Sequence, residues 1–267
     1  MIQSSTLALI LLKLALAPIL IAFVTLVGRR WGPGIGGWLM GFPLTSGPVS
    51  ILLLLEYGRA FAAHAAAGNL GGQASVCVFC LAYALTAQFA DWPVCAAVSI
   101  GAFLGSVALW NAASLPLWPA VGVFLVIALA VIGLMPRQKA AVSTSSSPRW
   151  DLPARMIAAG AFVLLLTTFA NSLGPQVSGL LSPFPIFGVT ITAFTHHQQG
   201  KGGAVSVVRG IAWGSFAFNI FFLVVALLLP VWPAVPVYLA AAAAAVLVNS
   251  ISLRLMRRGF QPAGLPA

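Results

Sequence analysis

The sequence predicts an all-α integral membrane protein of about nine transmembrane helices, with two four-helix repeats of inverted topology joined by a fifth helix. Three observations carry that expectation. The 267 residues are 61% hydrophobic and only 6% charged, with a mean hydropathy of +1.05, whereas a soluble domain carries about 25% charged residues. Apolar runs close to the roughly 20 residues that cross a bilayer recur along the whole chain. The two halves also resemble one another at a fixed offset of 142 residues. A transmembrane β-barrel would require alternating polarity, which the sequence lacks.

Gly, Pro and charged residues divide the apolar runs into expected spans near 6–27, 34–57, 69–90, 92–112, 117–135, 154–173, 176–198, 209–230 and 233–253. The first lacks a basic leader, is interrupted by Lys13, and precedes no small-residue cleavage site, so it reads as a retained span rather than a signal peptide. Trp92-Pro93, Trp118-Pro119 and Trp232-Pro233 each open a span. Proline suits the first helical turn and tryptophan the headgroup boundary, so these pairs are interfacial anchors. The one extended polar stretch, Arg137 to Pro153, is the expected linker. The expected units are therefore 1–113, a linking helix and loop over 114–152, and an inverted second unit over 153–267.

With nine spans the loops alternate between two faces, and eleven of the thirteen basic residues fall on one of them, from Arg29 and Arg30 to Arg257 and Arg258. The positive-inside rule makes that face cytoplasmic. The expectation is a multi-pass protein of the bacterial cytoplasmic (inner) membrane, with its amino terminus outside and its carboxyl terminus inside. The formal charge of +10 does not point to nucleic acid, because the basic residues flank spans instead of gathering on a soluble face. Membrane lipid is the expected surrounding partner, and the oligomeric state is not legible. Cys77, Cys80 and Cys95 lie in apolar segments without the strand and loop of a redox motif, and read as small buried packing residues.

The duplication aligns 32–85 with 174–227 without a gap, and 14 of 54 positions are identical where composition alone gives roughly five. Half of the identities are Gly or Pro, among them Gly37/Gly179, Pro43/Pro185, Gly58/Gly200, Gly68/Gly210 and Gly72/Gly214. Such residues set backbone shape, so their recurrence indicates a repeated fold. Five crossings separate the two starts, so the units insert in opposite senses, as in many secondary transporters.

Candidate functional residues lie in the second and seventh spans. Pro43 and Pro185 fall about ten residues into them, near mid-depth, where each frees a helix carbonyl. Thr45, Ser46 and Ser50 follow in the first unit, and Thr190, Thr192 and Thr195 in the second. Their hydroxyls either re-satisfy the broken backbone or face a substrate. Glu56, the sole glutamate, is either a proton or cation site or a solvated end residue beside Arg59. Adjacent His196 and His197 diverge on a helix and have no third ligand, so no metal or other cofactor is expected. No catalytic motif appears, so an enzyme is not expected. The Gly-x-x-x-Gly spacings at Gly68/Gly72, Gly101/Gly105 and Gly210/Gly214 read as close helix packing.

The run from Gly179 to Gly200, with Phe184-Pro185, Arg209 and the aromatics Trp213, Phe216, Phe218, Phe221 and Phe222, resembles the GlpM family of small four-helix bacterial inner-membrane proteins. In the first half Phe42-Pro43 and Glu56-Tyr57-Gly58 carry the same likeness, while Gln198-Gln199-Gly200 departs from it by losing the acid. The resemblance covers about 50 residues in each half and implies a fused pair of inverted units, the one-chain counterpart of a dual-topology dimer. The expected function is a transporter or flippase for a small or lipid-linked substrate, with a site between the broken second and seventh spans. The alternative is a non-transporting accessory or scaffold protein of an envelope-polysaccharide system.

Overall fold

The computed structural model describes residues 22–43, 46–136 and 183–260 with a few isolated positions beside them. The expected spans 6–27 and 154–173 and the linker lie mostly outside the described residues. The described elements are all helices: α1 over 22–31, α2 Pro33–Met40, α3 Ser46–Thr86, α4 Trp92–Ala113, α5 Leu117–Leu134, α6 Ile186–Leu228 and α7 Ala234–Phe260. Five stretches among the described residues are long and apolar enough to cross a membrane: Tyr57–Thr86, α4, α5, α6 and Ala234–Met256. By length and composition the chain is thus a multi-pass membrane protein.

The second expected span is not one kinked helix. α2 stops at Met40, Gly41 to Pro43 are irregular, and the chain becomes helical again into α3. Proline brings no N–H to a preceding turn and its ring clashes with the carbonyl four residues back, so a fresh helix starts after it. Pro43 O then accepts from Gly47 N–H at 3.0 Å, and Pro185 O accepts from Val189 N–H at 2.7 Å. These are equivalent bonds at the 142-residue offset.

A second interruption follows in both halves. Gly58 (φ +83°, ψ 178°) breaks α3, and Gly200 (φ +71°, ψ −173°) breaks α6 at the matching position. Only glycine holds this backbone region readily. Each half thus contains a short half-helix, ending at Tyr57 or Gln199, and a long helix, over 59–86 or 201–228. Each long helix has 28 residues and is about 42 Å long at 1.5 Å per residue, more than the bilayer core requires and so suited to tilting. The helices that follow, α4 and α7, begin at Trp92 and Ala234, again offset by 142. The repeat read from the sequence is therefore carried by helix boundaries and backbone breaks as well as by identities.

The long helices form the centre. In Tyr57–Thr86, 72% of the apolar window is buried, against 28%, 22% and 22% for α4, α5 and Ala234–Met256. The peripheral helices leave most of their apolar surface exposed. Two apolar clusters flank the centre, one built on Tyr83, Phe103 and Phe124, the other on Leu70, Phe221 and Phe222. Equivalent Phe184 and Phe42 pack into the first and second respectively.

Glycines allow the tightest crossing, between α2 and the long helix of α6. A Cβ on Gly37 would meet the Val207 carbonyl, one on Gly41 would meet Gly214, and one on Gly210 would meet the Gly34 carbonyl. The Gly210/Gly214 spacing thus packs helices as expected. The Gly101/Gly105 spacing does not, since nothing lies within 4 Å of a Cβ built there and both residues are exposed.

One charged side chain ties α5 to the second half. Arg209 Nη2 donates to the Met135 and Pro136 carbonyls at 2.9 and 3.0 Å, at the C-terminus of α5, where cations complement unpaired carbonyls. Replacing Arg209 with Gln is expected to cost about 1.5–3 kcal/mol, the worth of hydrogen bonds to a charged group. The thermal midpoint of detergent-purified protein reads this, and the same change at exposed Arg254 should leave the midpoint within error.

Candidate functional site on the axis between the halves

The long helices meet at equivalent positions. Gln73 Nε2 donates to Ser215 Oγ at 2.7 Å, and the two residues are separated by the repeat offset of 142. A contact between a residue and its own repeat partner arises where a two-fold relation between halves has its axis. Both side chains are buried, Gln73 to 3% exposure and Ser215 to 0%. Ser215 passes its own proton to the Ile211 carbonyl at 2.9 Å, leaving its lone pairs for Gln73.

A cavity of ≈ 50 Å³ lies beside this pair. Its lining includes three further pairs of repeat partners: Phe42 with Phe184, Ser46 with Gly188, and Val76 with Phe218. The cavity therefore also sits on the axis. Gln73 and Pro185 line it too, and Ser46 and Pro185 stand at the N-terminal ends of the two half-helices, where backbone N–H groups lack intrahelical partners. A volume of this size accommodates a few water-sized groups.

The structure distributes the expected site residues unevenly. Ser46 and Pro185 line the axial cavity, whereas Pro43 is buried one turn before Gly47 and does not line it. Ser50 shares a 2.8 Å hydrogen bond with the Tyr238 hydroxyl of α7, so it joins the half-helix to its neighbour. Thr192, the repeat partner of Ser50, is fully buried, and its Oγ1 meets no partner among the described residues. Position 238 corresponds to Ala96 in the first half, so the first half has no equivalent hydroxyl to offer Thr192. Thr190 is half-buried. Thr45 and the side chain of Glu56 lie outside the described residues.

On the half-helix Ile186–Gln199, Gly188, Thr192, Thr195 and Gln199 follow the i, i+4, i+7, i+11 spacing that keeps residues on one face. This small and polar stripe leads from the axial cavity to a second cavity lined by Thr195 and Gln199. His196, one position further round, meets the Tyr83 hydroxyl through Nδ1 at 3.3 Å. Cys77, Cys80 and Cys95 are buried free thiols, in keeping with the packing reading.

Sequence reasoning missed Gln73, Ser215 and Tyr238. A signal existed for the first two, since both are polar residues at one repeat position inside otherwise apolar helices. Tyr238 gave none, because a tyrosine in a span reads equally as an interfacial residue.

The fold and site define a polytopic helical membrane protein with an internally repeated core and, between its halves, a small cavity where Ser46 and Gln73 stand among mostly apolar residues. Comparison with protein-family models, curated proteins and solved structures gives no match.

Proposed function

We propose that the chain is a transporter or flippase of a small or lipid-linked substrate, binding in the axial cavity between the two half-helices. The observation that carries this reading is the Gln73–Ser215 pair, a buried polar contact on the axis beside a cavity where two helix N-termini converge. Broken helices whose ends face a central site are a recurrent transporter arrangement, and rocking of one half against the other would expose such a site to each side in turn. In this reading the chain has nine spans and inverted halves, and the axis lies in the plane of a bacterial cytoplasmic membrane. The amino terminus is then outside, in accord with the basic bias of one face. The GlpM-like motif is compatible with this arrangement but names no substrate.

The smallness of the cavity favours a second reading, a non-transporting accessory protein of an envelope-polysaccharide system. Thiol accessibility separates the two. In a variant with Cys77, Cys80 and Cys95 replaced by alanine, Ser46→Cys in sealed vesicles should react with a charged, membrane-impermeant methanethiosulfonate, because transport requires water to reach the axis. Ala128→Cys, fully buried in α5, should stay unmodified. Absence of reaction at position 46 from both sides of the membrane would refute the transport reading and leave the accessory role.

A further inference from the structure

The second cavity, ≈ 30 Å³, lies where α1 faces the end of the half-helix Ile186–Gln199, away from the axis. Its polar lining consists of Thr25, Arg29, Thr195, Gln198 and Gln199. We infer that this cavity binds an oxyanion, the phosphate group of a ligand, between Arg29 and the hydroxyl of Thr25.

Among the described residues the lining supplies donors and no anion. Thr25, Thr195, Gln198, Gln199 and Arg29 bring two hydroxyls, two carboxamides and one guanidinium to it, and no carboxylate is among the described lining residues. A cation would find only amide and hydroxyl oxygens beside a guanidinium, whereas an oxyanion is met by donors from both helices.

Thr25 gives the independent indication of a ligand. Its side chain is 4% exposed, and Oγ1 meets no protein partner among the described residues. A buried hydroxyl without a partner is unfavourable, and a phosphate oxygen in the cavity would accept its proton. The volume fits, because one oxygen-sized group needs about 10–15 Å³ and 30 Å³ therefore accommodates about two. A phosphate can place two oxygens inside and leave the remainder at the exposed Arg29.

The surroundings place this mouth at a membrane boundary. Arg30 stacks over the Trp31 ring at 5.4 Å, and Trp31 is 57% exposed, the combination expected at headgroup depth. The repeat-related place has a different composition: Gln198 stands where the first half has Glu56, and at the same offset Asn171 stands where Arg29 does. A carboxylate at the position of Gln198 would repel a phosphate. The phosphate belongs either to a lipid headgroup or to a soluble ligand.

Thermal unfolding of the full-length protein in uncharged detergent distinguishes these sources. Phosphatidylglycerol, inorganic phosphate and uncharged diacylglycerol are titrated separately. Saturating phosphatidylglycerol or phosphate should raise the midpoint by about 5 °C or more, and diacylglycerol should not. A rise with phosphatidylglycerol alone assigns a lipid headgroup, and a rise with inorganic phosphate assigns a soluble ligand. Arg29→Gln should abolish the shift, and Arg254→Gln should retain it. Thr25→Val, isosteric and free of the unpaired hydroxyl, should unfold no lower than wild type without ligand and yet require about tenfold more ligand for half the shift, which separates a binding role from a folding defect. No shift with either phosphate source, or equal loss in Arg254→Gln and Arg29→Gln, would overturn the assignment.

Discussion

Replacing Gly214 with alanine is expected to remove folded, monodisperse protein from detergent extracts, while the same change at Gly122 leaves the yield unchanged. A Cβ at Gly214 would lie against the Trp38 carbonyl and 2.7 Å from the Gly41 Cα. Both neighbours are backbone, so no rotamer change relieves the contact and α2 must move as a body. Overpacking ordinarily costs about 1–3 kcal/mol, and a clash between two backbones belongs at the top of that range or beyond. Gly41 and Gly210 face the same crossing from either side and should behave alike. Gly122 has nothing within 4 Å of a Cβ, and alanine there gains up to about 1 kcal/mol of helix propensity. The comparison therefore predicts opposite signs for one chemical change, read as the midpoint of thermal unfolding. An intact Gly214→Ala protein with the wild-type midpoint would refute this crossing.

The second large effect is expected at Gly58 and Gly200, for a different reason. A Cβ at either position meets nothing within 4 Å, so packing does not oppose substitution. The backbone does, because φ is +83° and +71° with ψ near 180°, a region open essentially to glycine alone. Alanine at either site should cost about 1–3 kcal/mol. Asparagine often replaces glycine in the left-handed helical region, but that region has ψ near +47°, so asparagine should give no relief over alanine here. A rescue by asparagine would show that these breaks have a different backbone geometry.

Much of the architecture was legible because glycine and proline encode backbone shape directly. The pairs Pro43/Pro185 and Gly58/Gly200 were visible as identities, and they mark the equivalent helix starts and breaks of the two halves. The break in the second span was legible from Pro43, but its extent was not, because hydropathy does not change across Gly41 to Pro43 and apolar length alone does not show where one piece ends and the next begins. Of the three glycines beside the prolines that could let backbones approach, Gly41 lies at a backbone crossing, whereas Gly47 and Gly188 do not. A Cβ on Gly47 would make ordinary contact with the Phe221 ring at 3.5 Å, and one on Gly188 would meet side chains of Pro185 and Ile211. The backbones cross at Gly37 and Gly41, since α2 is free to lie against the long helix once it is severed from α3. Hydroxyl placement was the least legible feature. Ser50 and Thr192 are equivalent in sequence, and only the tertiary neighbour at position 238 or 96 decides that one is bonded while the other meets no partner among the described residues.

The Gln73–Ser215 contact bears on why the two halves share one chain. In a dimer of identical subunits, a residue on the two-fold axis meets its own copy, so two glutamines or two serines would face each other and each would have to serve as donor and acceptor at once. Covalent fusion lifts that constraint. One half can supply a long carboxamide that gives a proton, and the other a short hydroxyl that receives it, at a distance of 2.7 Å. Once such an unlike pair is installed, neither half can pair well with a copy of itself: two glutamines would crowd the axis, and two serines would leave a gap. The centre of the molecule thereby acts as a lock that accepts only the partner encoded on the same polypeptide.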